Sequence, residues 1–276
     1  MPNLVRTALK KFLARPVSLL TLAAQRQLEA DYDNLGKAQS IDVPTLLKPL
    51  QEWPGIAETL AGLMERAPSA PPMPGALNQG DRRAIYGLVR ALKPANVLEI
   101  GTYIGSSTIH VGAALRANAT EGRGGSLTTV DVIDVNGPQA PWMRCGMKRS
   151  PKQMVDELGI GDRVRFYTSD SIAFLRGCKD HFDFVFLDGS HAAKDVYNEI
   201  ALTQRCLNAG ALILLHDFFP DGKPLWPGLT PLPGPWLAYA RLRREGAPIR
   251  AIPLGNLPWP TKAGTSVTSL ALLGAT

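Results

Sequence analysis

Apolar residues in the second half of this chain fall into short, nearly unbroken runs separated by stretches of helical period. NVLEI at 96–100, SLTTVDV at 126–132, FDFVFLD at 182–188 and ALILLHD at 211–217 are such runs. A strand that reads this way is covered on both faces, as in a parallel sheet sandwiched between helices. RVRFYTS at 163–169 supplies one more strand, more polar than the others. Between the runs the spacing changes to three and four. In DRRAIYGLVRAL at 81–92, Ile85, Leu88, Val89 and Leu92 share one face, with Asp81 as the predicted N-cap. Further helices are predicted at about 106–117, 151–160, 171–175 and 193–207, and two last strands at about 249–253 and 266–273. The alternation predicts an α/β fold, a doubly wound sheet of seven strands whose ligand sits at the strands' carboxyl ends.

The first 66 residues have a different texture: helical pattern, interrupted at Pro16, Pro44 and Pro54. APSAPPMPG at 67–75 is too rich in proline for helix or central strand. It divides the chain into an N-terminal helical segment with its linker, 1–75, and a main domain, 76–276. The opening MPNLVRTALKKFLARPVSLLTLAA has the outline of a secretion signal, but Ser18 and Thr21 break its apolar run and no small-x-small cleavage site follows. Val5, Leu9, Phe12 and Leu13 instead recur at helical spacing, with Arg6, Lys10 and Lys11 between them. Such a face suits packing on the main domain or on a second subunit in a homodimer, ahead of a membrane surface.

Composition narrows the class. At 276 residues with 45% apolar and 20% charged, the chain can bury a sizeable core. A net charge of +6, concentrated only at the N-terminus, does not indicate a nucleic-acid partner. Cys145, Cys178 and Cys206 are odd in number and form no CxxC, which argues against a disulfide framework and a thiolate zinc site. A reducing, cytoplasmic location is the expectation. No run of about 18 apolar residues is present to span a bilayer.

The turn after the first strand, NVLEIGTYIGSST at 96–108, carries the chemistry. A dinucleotide turn reads G-x-G-x-x-G, the middle glycine admitting a pyrophosphate. Here Tyr103 stands in that place, and the lysine of a phosphate loop is missing as well. The turn therefore favours a ligand without phosphate, and it disfavours a nicotinamide-dependent oxidoreductase. Asp131, near the end of the second strand, can accept from two ribose hydroxyls. Asp170, just past the third, can accept from an adenine amino group.

VLEIGTYIGSST resembles the first motif of class I S-adenosylmethionine-dependent methyltransferases, in the form found among small-molecule O-methyltransferases. FDFVFLDGSH and GALILLHDFF resemble that superfamily's fourth- and fifth-strand motifs. The resemblance implies a Rossmann-like, mostly parallel sheet with an antiparallel last strand. It implies that Glu99, Gly101 and their neighbours Thr102, Tyr103, Gly105, Ser106 and Ser107 hold the methionine part of the cofactor. Asp131 would hold the ribose, Asp170 with Ser171 the adenine, and Asp188 would adjoin them. Asp134 competes with Asp131 for the ribose.

Asp188 and Asp217 each end one of two neighbouring strands, beside His191 and His216. Either histidine could take a hydroxyl proton as the methyl moves, His191 being the first choice and His216 the second. Their bland alternatives are a helix cap and a hydrogen bond to a loop carbonyl. The rival route is magnesium on Asp188 and Asp217, but Phe218 stands where catechol-type relatives place an amide ligand. The Asn/Asp-Pro-Pro-Tyr motif of many amino-group methyltransferases is absent, and DGSH takes its place. The expected acceptor is a hydroxyl of a small molecule, a sugar or natural product, with N-methylation or a non-catalytic binding role as alternatives.

Overall fold

The computed structural model of the chain describes residues 30–70, 75–262 and 264–276. The amphipathic pattern read at the N-terminus lies outside them. Two short helices come first, α1 (Val43–Leu46) and α2 (Trp53–Leu63), and Pro44 and Pro54 sit in their first turns. These prolines begin helices instead of breaking them, because a first-turn residue needs no N–H partner within the helix.

The sheet follows in the predicted alternation. α3 (Gln79–Leu92) leads into β1 (Asn96–Ile100), α4 (Ser106–Thr120) and β2 (Ser126–Asp131). Two short helices, α5 (Pro141–Arg144) and α6 (Pro151–Glu157), precede β3 (Val164–Thr168). Then come α7 (Ser171–Gly177), β4 (Phe182–Leu187), α8 (Ala193–Thr203) and β5 (Leu207–Leu215). α9 (Gly234–Arg244), β6 (Ile249–Pro253) and β7 (Ala271–Ala275) complete the chain. The seven strands form one sheet in the order β3-β2-β1-β4-β5-β7-β6. β7 runs antiparallel to both neighbours, and the other pairings are parallel.

Alternate residues of the central strands feed two cores. On one face Val97, Phe184, Phe186 and Leu214 pack with Ile85, Val89 and Ile109. On the other Leu98, Val185, Leu187 and Ile213 pack with Tyr197, Ile200 and Leu242. Residues upstream of the proline-rich stretch join both: Trp53 and Leu60 the first core, Tyr32 and Leu35 the second. The backbone N–H of Gly36 also donates to Ala211 on β5. The stretch at 67–75 marks a change in sequence texture, while packing continues across it.

Two boundaries differ from expectation for identifiable reasons. The N-cap of α3 is Asn78, whose Oδ1 accepts from the N–H of Asp81, which places Asp81 inside the first turn and 1% exposed. β5 begins at Leu207 because Asn208 Nδ2 donates to Asp183 Oδ1 and the Gly210 N–H to Asn34, which ties the predicted helix-to-strand turn into the sheet edge.

Candidate active site

The site lies at the carboxyl ends of β2, β1, β4 and β5, around the point where strand order reverses. Ladder bonds continue past the strands and bring these ends together. The Gly101 N–H donates to Val130, Asp188 N–H to Ile100, Ser169 N–H to Asp131 and His216 N–H to Leu187. They frame a cleft of about 520 Å³ whose walls include Gly101, Thr102, Tyr103, Ser106, Ser107, Asp131, Asp170, Ser171, Asp188 and His191. Gly101 has φ +101, and a Cβ there would collide with the carbonyl of Asp188. The first turn can therefore pass over β4 only without a side chain.

The β1–β2 half of the cleft is built by backbone amides. Asp131 Oδ2 accepts from the N–H of Tyr103 at 2.8 Å and its Oδ1 from Ile133 at 3.0 Å. Each carboxylate oxygen keeps a further lone pair for a ligand. Tyr103 holds φ +48, a left-handed conformation that only firm surroundings sustain in a residue with a side chain. Asp134, the competing acid, is exposed, lies outside the cleft walls and accepts from Asn136 N–H. Asp170 caps α7 by accepting from Ala173 N–H.

Two residues expected to touch the cofactor lie beneath the wall. Glu99 is fully buried, and its Oε2 accepts from the hydroxyls of Thr108 and Thr129 at 2.6 Å. Thr129 is its register partner on β2, and the Thr102 and Thr129 hydroxyls are 2.6 Å apart. Burial pushes the Glu99 carboxyl up to about 7, against the pull of Ser107, Thr108 and Thr129. Glu99 thus ties β1, β2 and α4 together under the turn. Gly105, with φ +78, packs against Pro151 and opens α4.

The β4–β5 half is built by charge. His216 donates from Nδ1 to Asp188 Oδ1 at 2.8 Å, and its Nε2 lies 3.7 Å from Asp81 Oδ2. Its Nδ1 also lies 3.7 Å from Asp217 Oδ1. Burial works against the imidazolium, but the charge and hydrogen bond of Asp188, followed by Asp81 and Asp217, outweigh it. The His216 pKa is held well above the ordinary value. His216 already carries the proton it would need to accept, and it is not on the cleft wall. The second choice for the base is thus placed among three carboxylates, those of Asp188, Asp81 and Asp217.

His191 is placed differently. It projects from the loop before α8, lines the cleft and is half-exposed, with Nε2 3.6 Å from Asp217 Oδ2. It does not cap the helix. The N-cap is Ala192, without a side-chain cap, and the Ser190 hydroxyl before it donates to Asp195 at 2.7 Å and accepts from Ala192 N–H. Gly234, at the start of α9, allows the chain after β5 to close directly on the His191 carbonyl, where a Cβ would not fit. Trp226, in the proline- and glycine-rich loop at 221–235 that follows β5, packs on Phe219 and under the Lys262 ammonium.

The magnesium expectation meets a poor donor set. A hard cation of this kind seeks about six oxygens in near-octahedral order. Asp188 spends an oxygen on His216, Asp217 Oδ1 accepts from the Ser269 hydroxyl at 3.3 Å, and Phe218 is buried. Among the described residues no group of three or more His, Cys, Asp or Glu is arranged to hold a metal ion.

Sequence reasoning missed Asp81, taken only as a cap, and Glu199 on α8. Glu199 is 1% exposed, lines the cleft and accepts at Oε1 from the Ser171 hydroxyl at 2.6 Å. Its position one turn past Asp195, on the same face of α8, was the available signal. Nearby, Arg149 pairs with Glu157 and Lys148 with Glu65, while Trp236 packs on Phe218 and Tyr239.

The fold is a Rossmann-like, seven-stranded sheet with a row of acids, Asp131, Asp170 and Asp188, on the cleft at its switch point. Residues 98–218 match the family model of a methyltransferase domain. Catechol O-methyltransferase B of Danio rerio is 27% identical over 158 residues, 54% of this chain and 53% of that protein. The chain thus spans about half the length of this curated relative. Among solved structures, the O-methyltransferase TomG from Streptomyces achromogenes, involved in tomaymycin synthesis and crystallised with S-adenosylmethionine, has a TM-score of 0.52. It is 17% identical, and the match covers 87% of this chain and 96% of that one. The S-adenosylhomocysteine-bound methyltransferase PaMTH1 of Podospora anserina has a TM-score of 0.51 at 18% identity, covering 83% and 97%. These likenesses at low identity establish the fold.

Proposed function

We propose that this protein transfers a methyl group from S-adenosylmethionine to a hydroxyl oxygen of a small molecule, with His191 as general base. The observation that carries the reading is a single cleft holding Asp131, Asp170 and Asp188 in strand order, with His191 on its wall beside Asp217. The row of acids fits the polar groups of the nucleoside: Asp131 the ribose hydroxyls, Asp170 with Ser171 the adenine edge. Thr102, Tyr103, Ser106 and Ser107 line the part left for the methionine chain. The cofactor, when bound, supplies a methyl group activated on a sulfonium sulfur.

The protein's task is then to align an acceptor hydroxyl and remove its proton. His191 accepts that proton, and Asp217, whose Oδ2 lies 3.6 Å from Nε2, stabilises the imidazolium that results. Asp188 is fixed by His216 at the floor between cofactor and acceptor. The stiff loop at 221–235, anchored through Trp226 and Gly234, walls the acceptor side. No step passes through a metal. The protein acts without a membrane or nucleic-acid partner, in the cytoplasm; no described helix is long and apolar enough to cross a membrane.

The test is a screen of phenolic, catecholic and sugar hydroxyl acceptors with methyl-labelled cofactor, run on wild type and His191→Ala in parallel. The reading expects an O-methylated product with wild type and a rate reduced at least about 100-fold in the variant. Methylation of amines alone would remove the oxygen assignment.

A further inference from the structure

Cys178 and Cys206 belong to neither half of the cleft, yet the fold brings them together. Cys178 is the residue directly after α7, and Cys206 ends the short turn of helix, Gln204–Cys206, that leads into β5. The last carbonyls of a helix lack partners within it. The Cys206 thiol donates to one of them, that of Leu175, at 3.9 Å. Leu175 stands three residues before Cys178, and all three side chains pack in the same core. The Cys178 thiol is close enough to act on Cys206 both by charge and as a hydrogen-bond partner. Both are free thiols, and they differ in access. Cys206 is 1% exposed, while Cys178 is half-exposed and its Sγ donates to the Asp180 carbonyl at 3.7 Å. Cys145 is buried in the core on the other face of the sheet.

We propose that Cys178 and Cys206 form a redox modification site, joined into a reversible disulfide by an oxidant of the peroxide class. Cys178 is the sulfur that a soluble oxidant reaches. Its thiolate attacks one peroxide oxygen: an S–O bond forms, the O–O bond breaks, and the departing hydroxide takes a proton to become water. Cys206 then attacks the Cys178 sulfur. An S–S bond forms, the S–O bond breaks, and a second water leaves with the Cys206 proton. Two thiols and one hydrogen peroxide give one disulfide and two waters. The order of the steps follows from burial. Burial, with the charge of Cys178 added, pushes the Cys206 thiol up to about 12 against the pull of Arg205, so Cys178 ionises first. Once Cys178 is an uncharged sulfenic acid, its share of that opposition is gone. A partner sulfur in this position diverts Cys178 from the irreversible acids to which a single thiol would run on.

The test is exposure of the reduced full chain to a few equivalents of hydrogen peroxide, then thiol counting after denaturation and tryptic mapping without reductant. Trypsin cuts after Arg176, Lys179 and Arg205, which places the two sulfurs on separate peptides. The expected result is loss of two of the three thiols and one linked pair of peptides carrying Cys178 and Cys206, two hydrogens lighter than their sum. Dithiothreitol should restore all three thiols. Cys145→Ser should oxidise as wild type does. Cys206→Ser should stop at a sulfenic acid on Cys178 that dimedone captures, and Cys178→Ser should leave Cys145 and Cys206 reduced. If Cys206→Ser fails to fold, the wild-type peptide map decides. Cys178 recovered as a free thiol or a sulfinic acid, or linked to Cys145 or to a second chain, would overturn the inference. None of these outcomes bears on the methyltransferase reading.

Discussion

The two halves of the cleft hold their carboxylates by opposite means. At β1–β2, Asp131 is gripped by the backbone N–H groups of Tyr103 and Ile133, and the turn above it rests on Glu99 and its hydroxyl partners. At β4–β5, Asp188 and Asp217 are held by other side chains, His216 and Ser269. The first device depends on chain path, the second on charge balance. A chain-path device is rigid before any ligand arrives, as a nucleoside socket needs. A charge-balanced one leaves a neighbouring group, His191, half-exposed on the cleft wall.

The sharpest break between the halves is kinetic. His191→Ala should lower kcat about 10²–10⁴-fold while S-adenosylhomocysteine affinity stays within about twofold of wild type, as single-turnover rates and calorimetry would report. Equal losses in both would mean that His191 belongs to the cofactor half. Next in size is Gly101→Ala. Its Cβ would strike the Asp188 carbonyl at a left-handed position, so thermal unfolding should reveal a destabilisation of about 3 kcal/mol or more. A variant as stable as wild type would show that the turn can move off β4.

A smaller effect reads the buried support of the first half through pH. The Glu99 carboxyl sits at about 7 in the folded chain against an ordinary 4.5, so between those values the folded state retains a proton that the unfolded state has lost. Stability should therefore fall as the pH rises from about 4.5 to about 7 and stay level above that, by about 3 kcal/mol for this group. Glu99→Gln should flatten that decline in denaturant melts, and an unchanged slope would show that Glu99 ionises without penalty. The smallest expected effect belongs to metal. Chelation, or added magnesium, should change turnover less than about twofold, because His216 already supplies the cation. A strict magnesium requirement would show that His216 yields its place.

The contrast also explains what the sequence made legible. The β1–β2 half could be read because a glycine-dependent turn needs particular residues at fixed offsets. Gly101 and Asp131 accordingly stand on the cleft where motif spacing put them. The burial of Glu99 was not legible, because spacing places a residue near a strand end but does not say which way it faces: the register partner Thr129 donates to its carboxylate. In the β4–β5 half, Asp188, His191, His216 and Asp217 were visible as residue types, yet which histidine could act as base depended on Asp81. That residue arrives from α3 and is remote in sequence. Periodicity gave all seven strands, because each lies in a continuous apolar run or a bounded one, while the start of β5 was set by Asn208 and Asp183, a tertiary contact that no local pattern announces.

The most direct test of the central claim is calorimetric titration of the purified chain with S-adenosylhomocysteine, for wild type and for Asp131→Ala with its fold checked by circular dichroism. The account predicts binding in the micromolar range by wild type and a loss of about 100-fold in the variant, the worth of two charged hydrogen bonds to the ribose. No binding by wild type, or equal binding by the variant, would contradict it.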